Sequence, residues 1–159
     1  MPISKIVSKF AIVTAVGCGI LLALYYYSVS PTYSLNALAS HMQKKEGKQA
    51  VGFFDTYLIT VNRYARLPNP PRSGSHGLKT EWQEEAVLFN AYIRRVIDTG
   101  EWPDVGGDVY NVIMSSFWQR DIEVVGDGAT VTHKGNPRFV IKLQRRPSGH
   151  WVIVDMMEK

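Results

Sequence analysis

Hydrophobic and polar positions along this chain fall into three regimes, and the first is the plainest. From Phe10 to Val29 twenty residues pass without a charge, with Lys5 and Lys9 before them and Tyr25, Tyr26 and Tyr27 near their end. A helix of that length reaches about 30 Å, the hydrocarbon thickness of a bilayer. A cleavable secretory segment has an apolar stretch of about 7 to 15 residues closed by small side chains. Here the run is longer and ends in a tyrosine triplet. Ser28 and Ser30 are small, but Pro31 would then follow the cut. The pattern predicts a retained anchor. Lys5 and Lys9 lie before the span and the next basic residue is Lys44, so the positive-inside rule places the N-terminus in the cytoplasm. Residues 1–9 then form a cytoplasmic stub, 10–29 a single transmembrane helix in the cytoplasmic (inner) membrane, and 30–159 an extracytoplasmic domain, periplasmic or extracellular. Lys5, Lys9 and the three tyrosines are its expected interface anchors, the phenol rings lying at headgroup depth.

Within the span, Ala11, Ala15, Gly19 and Ala23 recur every fourth residue and give one helical face small side chains, against which another membrane helix can pack. Ala15, Val16, Gly17 and Cys18 loosely resemble a lipobox. A lipoprotein would continue into a polar tether, whereas Gly19, Ile20, Leu21 and Leu22 extend the apolar run. Cys18 is expected as a buried, inert thiol. As the only cysteine it has no intrachain disulfide partner.

The second regime has a period near 3.6. Pro31 and Thr32 are expected to break the membrane helix. Leu35, Leu38, Ala39 and Met42 then predict an amphipathic helix opened by Thr32 or Ser34 and interrupted at Gly47. Val51, Phe54, Leu58, Val61 and Ala65 continue the spacing until Pro68, as a helical hairpin or one kinked helix. Residues 67–78 hold Pro68, Pro70, Pro71, Ser73, Gly74, Ser75 and Gly77, a composition for a flexible loop. Thr80 with Gln83 reads as a capping box opening the next helix, with Glu81, Glu84 and Glu85 near its positive end and Arg94 and Arg95 near its negative end. Trp82, Ala86, Phe89, Ile93 and Val96 form its inner stripe, and Gly100 ends it. A shorter helix is expected from Asp108 to Trp118.

From Asp121 the period changes to two. Ile122 and Val124 alternate with Glu123, Gly126-Asp127-Gly128 turns the chain, Val131 alternates with Thr130 and Thr132, and Gly135-Asn136-Pro137 turns it again. Phe139, Ile141 and Leu143 follow, then Pro147-Ser148-Gly149 and Trp151 to Val154. The predicted architecture is α+β: helices first, then a curled antiparallel meander.

Charge changes little. Of 18 basic residues Lys5 and Lys9 precede the span, leaving 16 against 14 acidic in a remainder that suits one domain. No basic stripe with interleaved aromatics is present, which argues against nucleic acid as a partner. His41, His76, His133 and His150 are scattered, without HExxH or HxH spacing, so no metal site is expected. No nucleophile elbow, Walker A or dinucleotide fingerprint occurs, and no cofactor is expected. Gly106 and Gly107 precede Asp108 as an apparent helix N-cap.

Ser30-Pro31-Thr32-Tyr33-Ser34-Leu35 directly after an apolar span, a helix carrying Leu38 and Ala39, and the pair Phe54-Asp55 resemble a family of short bacterial membrane-anchored proteins whose domain has no known function. Typical members carry an acid in the helix break and a Val before the later Asp; this chain has Gly47 and Phe54. The second half resembles the nuclear transport factor 2-like, or cystatin-like, superfamily: Gly126-Asp127-Gly128 before Ala129 and Val131, and Gly149-His150-Trp151-Val152-Ile153-Val154-Asp155 as closing strand. That resemblance implies a cone-shaped domain. Its members include enzymes, small-ligand binders and noncatalytic modules of membrane machines such as type IV secretion channels. The resulting expectation is a membrane-anchored noncatalytic domain that binds a partner protein, a second copy or a membrane complex. The alternative is a ligand-binding or enzymatic cone in which Tyr92, Asp121, His133 and Asp155 are the polar residues nearest a pocket. A cone filled by Trp82, Phe89, Trp118 and Phe139 would exclude that alternative.

Overall fold

The structure, a computed structural model, describes residues 3–67, 76–102 and 104–159, with side chains for all of these except 3–12, 76–80 and 104–106. The expectations resting on Lys5, Lys9, Ala11, the Thr80 side chain and the greater part of the 67–78 loop fall outside what is described. The fold is α+β, helices followed by a four-stranded antiparallel sheet.

Helix α1 (Ile3–Ser28) is continuous, and its described apolar side chains stand free of the domain: Val13, Leu21 and Leu24 are 70%, 68% and 59% exposed. Cys18 is likewise exposed to the surroundings of α1. Among the described residues no single helix is long and apolar enough to cross a membrane; Val13–Ser28 with Pro31–Gln43, bent by 64°, passes together. The second arm of that pair is core, with Leu35 and Leu38 almost fully enclosed.

The first helix breaks at Val29 and Ser30, just before the expected Pro31, and Pro31 opens α2 (Pro31–Gln43), since its fixed φ suits the first helical turn. Ser30 is the cap: its Oγ accepts from Tyr33 N at 3.2 Å and donates to the Tyr27 carbonyl at 2.6 Å. Only Val29 and Ser30 separate α1 from α2. The Val29 carbonyl accepts from Trp151 Nε1 at 2.7 Å, and Ser34 Oγ accepts from Trp151 N at 3.2 Å. Asn36 Nδ2 reaches Tyr27 Oη at 3.2 Å.

Gly47 opens the short α3 (Gly47–Ala50) and is packed so closely on α5 (His76–Thr99) that a Cβ there would lie 2.5 Å from the Arg94 carbonyl and 2.5 Å from Asp98 Oδ1. The helix predicted through Val51 and Leu58 is instead divided. Phe54 is extended and bridges Ile153, while Asp55 caps α4 (Thr56–Ala65) by accepting from Leu58 N at 2.9 Å. The buried residues of α4 are therefore Ile59 and Thr60. α5 begins at His76, four residues before the predicted cap, so Glu81, Glu84 and Glu85 lie beyond its first turn. α6 (Asp104–Met114) also begins early, taking Gly106 and Gly107 into the helix and Asp108 off the cap position; Phe117 falls in a separate 3-10 turn.

The sheet runs β1 (Arg120–Val125), β2 (Gly128–His133), β3 (Asn136–Arg145) and β4 (Trp151–Glu158), each pairing with the next. Asn136 and Pro137, predicted as turn, begin β3. Ala129, Val131, Ile141, Leu143, Trp151 and Ile153 pack against Leu35, Leu38, Ile93, Ile97, Val112 and Ile113 to form one core between the helical layer and one sheet face. Opposite Lys142 and Leu143, β4 carries an extra residue, since Lys142 pairs with Asp155 and Leu143 with Ile153. This bulge at Val154 reverses the alternation, and Met156 rather than Asp155 continues the inward row of Trp151 and Ile153.

Candidate functional site

The helical layer does not close completely over the far end of the sheet. Between α4, α5 and the ends of β3 and β4 lies a cavity of about 430 Å³, within the size range of small-ligand sites. α4 turns Ile59 and Arg63 toward it and Arg66 follows its C-terminus; α5 supplies Phe89, Tyr92, Ile93 and Val96 at helical spacing; Trp102, Val109, Phe139 and Met156 complete the wall. The lining is mainly apolar, with Arg63, Arg66, Tyr92 and Glu158 as its polar members.

One of those cations is already engaged. Arg66 Nη1 donates to both carboxylate oxygens of Asp155, at 2.7 and 2.6 Å, and Nη2 to the Met156 carbonyl at 3.4 Å. Lys142 Nζ stands 3.8 Å from the same carboxylate, which is almost wholly buried. Asp155 is thus the centre of an ion-pair cluster that ties the end of α4 to β3 and β4. Arg63 lies at 3.9 Å from Glu85, which also accepts the Tyr64 hydroxyl proton; that hydrogen bond raises the Tyr64 pKa.

The four expected pocket residues do not converge. Tyr92 lines the cavity; Asp155 lies behind Arg66; Asp121 is exposed on β1. His133 borders a different hollow of about 390 Å³ with Asp108, Asn111, Ser115 and Asn136, and its Nδ1 accepts from Gly135 N at 3.0 Å. The bulky aromatics do not plug the cavity: Phe89 and Phe139 are walls, Trp82 stacks on Tyr64, and Trp118 is 79% exposed. Among the described residues no group of three His, Cys, Asp or Glu side chains could hold a metal ion. On α1, Ala15, Gly19 and Ala23 are exposed, and a Cβ on Gly19 would meet nothing within 4 Å.

Arg120 was not singled out in the sequence, yet it is the most unusual polar group of the domain. It is 4% exposed and, among the described residues, forms no ion pair with a carboxylate. Its guanidinium donates to the Val112 carbonyl from Nε at 3.2 Å, to the Ile113 carbonyl from Nη2, and to Asn36 Oδ1 from Nη1 at 2.8 Å. Those carbonyls belong to the last turn of α6, where a helix dipole presents its negative end. Burial nevertheless lowers the Arg120 pKa from its ordinary value. Through Asn36 and Tyr27 the same network reaches the end of α1.

No family model, curated protein or solved structure matches this chain.

Proposed function

We propose that this chain is a single-pass membrane protein, N-terminus in the cytoplasm, holding a noncatalytic α+β domain against the outer face of the membrane, where it binds a partner protein or supports a membrane complex. One observation carries the reading: the apolar side chains of α1 from Val13 to Leu24 are exposed to a degree that water disfavours and lipid would satisfy. The engagement of Asp155 by Arg66 supports a noncatalytic domain, because the one carboxylate buried near the cavity among the described residues is held in an ion pair. Helices first and an antiparallel meander last is also the element order expected of the cystatin-like superfamily.

Alkaline carbonate extraction of cells expressing the full chain tests the anchor, and C-terminal fusions test the orientation. Retention in the membrane pellet, with a phosphatase fusion active and a fluorescent-protein fusion dark, is the expected result. Release into the carbonate supernatant, or a bright fluorescent fusion with an inactive phosphatase, overturns it.

The cavity favours a second reading, a ligand-binding domain. Its apolar wall suits a small hydrophobic molecule with a polar end near Arg63 and Tyr92. Titrating the full chain with an environment-sensitive apolar dye, before and after Val96→Trp fills the cavity, distinguishes the readings: saturable binding lost in the variant favours the ligand, and equal response in both refutes it.

A further inference from the structure

Among the described residues, the outer face of α5 has no neighbour. Its inner face buries Ala86, Ile93, Val96 and Ile97, whereas Glu84, Leu88, Ala91 and Arg95 form an outer row at spacings of four, three and four. Val87 flanks the row. Val87 and Leu88 are 68% and 70% exposed, unusually bare for large apolar residues in mid-helix, and a hollow opens beside them between Gln83 and Glu84. The row is therefore acidic, then apolar, then basic along the helix.

Helix-dipole compensation does not account for that order. α5 starts at His76, so Glu84 lies more than two turns inside it, beyond the reach of the terminal charge. Neighbouring charges have partners within the chain: Glu85 takes Tyr64 and Arg63, and Arg94 lies 3.7 Å from Asp98. The side chains of Glu84 and Arg95 have none among the described residues.

We propose that the α5 outer face binds a second copy of itself, antiparallel, about a twofold axis passing between Leu88 and Ala91. That symmetry places Glu84 of each copy opposite Arg95 of the other, and Leu88 opposite the small Ala91, which leaves room for it. Two copies then supply two identical charge pairs flanking an apolar centre. A parallel pair would set Glu84 on Glu84 and Arg95 on Arg95, so the same residues that favour one orientation reject the other. The pairing names the partner left open in the proposed function, and rests on that reading only for the membrane in which the two copies meet.

The test is the mass of the full chain in detergent micelles, measured by light scattering across a concentration series. The parent is expected to dimerise. Arg95→Glu alone and Glu84→Arg alone each create two like-charge contacts and raise the dissociation constant about tenfold or more. The double variant E84R/R95E restores the dimer, and so does an equimolar mixture of the two single variants, because each mixed pair again opposes Arg to Glu. Restoration also rules out misfolding as the cause of the single-variant loss. A monomeric parent overturns the proposal, as do single swaps that leave the dimer unchanged. A dimer that survives the swaps but dissociates in Gly19→Leu places the contact on α1 and overturns it equally. Carbonate extraction of the same variants reports on the anchor independently, so failure of the pairing and failure of the membrane assignment are separable.

Discussion

Replacing Arg120 with Met keeps most of the side-chain volume and removes the guanidinium. The Ile113 carbonyl, enclosed at the end of α6, then loses its donor; the Val112 carbonyl keeps the Ser115 hydroxyl at 2.7 Å, and Asn36 Oδ1 loses its Arg120 donor. Each buried acceptor left unsatisfied costs about 1 to 3 kcal/mol. Asn36 is exposed and can turn to water, and Val112 retains the Ser115 donor, so only the Ile113 carbonyl counts in full, for about 1 to 3 kcal/mol. Against this, Met no longer requires a charge to be stripped of water, which offsets part of the loss. The expected net destabilisation is about 1 to 2 kcal/mol. Urea unfolding of the full chain in detergent, followed by intrinsic tryptophan fluorescence, checks it; a slope of about 2 kcal/mol per molar turns that loss into a midpoint shift of about 0.5 to 1 M. Arg120→Lys retains charge but cannot fork between two carbonyls, and should fall between parent and Met. A Met variant within about 0.5 kcal/mol of the parent would refute the assignment of Arg120 as the closure of α6.

Gly47→Ala should cost about 1 to 3 kcal/mol in the same assay, because its Cβ would collide with the backbone carbonyl of Arg94, which cannot swing aside. Asp155→Asn should cost about 1 to 3 kcal/mol, less than a fully buried pair since Arg66 is partly exposed, and Arg66→Met paired with it in a double-mutant cycle should show coupling above about 0.5 kcal/mol. Burial lowers the His150 pKa, where the ring lies 4.7 Å from Phe53. The unfolded chain therefore takes up that proton first as pH falls below about 6.5, and stability declines until the pH passes below the folded-state value. His150→Phe should flatten the decline of Tm between about pH 7 and pH 5; an unchanged slope would show that other groups govern it.

Much of the sheet was legible in the sequence because alternation and turn chemistry agree there. Gly126 and Gly149 both adopt positive φ at the turns where glycine was expected. The errors at helix starts share one cause: the residues that cap helices also occur inside them. Thr80 and Gln83 have capping-box spacing yet lie inside a helix already begun at His76, and Thr32 and Ser34, read as opening caps, lie inside α2, which Ser30 caps. The cavity was harder to read. Asp155 alternates correctly with Ile153 in sequence, and only the bulge at Val154 turns it from the core face, a shift set by β3 rather than by local composition. Arg120 gave no signal because its role depends on α6 carbonyls and on Asn36, 84 residues away.

The junction between α1 and α2 bears on how motion passes through the molecule. With Val29 and Ser30 alone between the helices, and both held by hydrogen bonds, the domain has no swivel. Rotating α1 about its long axis turns the domain through the same angle, and each residue of a helix advances that phase by about 100°. An alanine inserted between Leu24 and Tyr25 would therefore leave the apolar length nearly constant while facing the whole sheet, and the outer side of α5 with it, in another direction. The linkage acts as a crank, and its setting is counted in single residues.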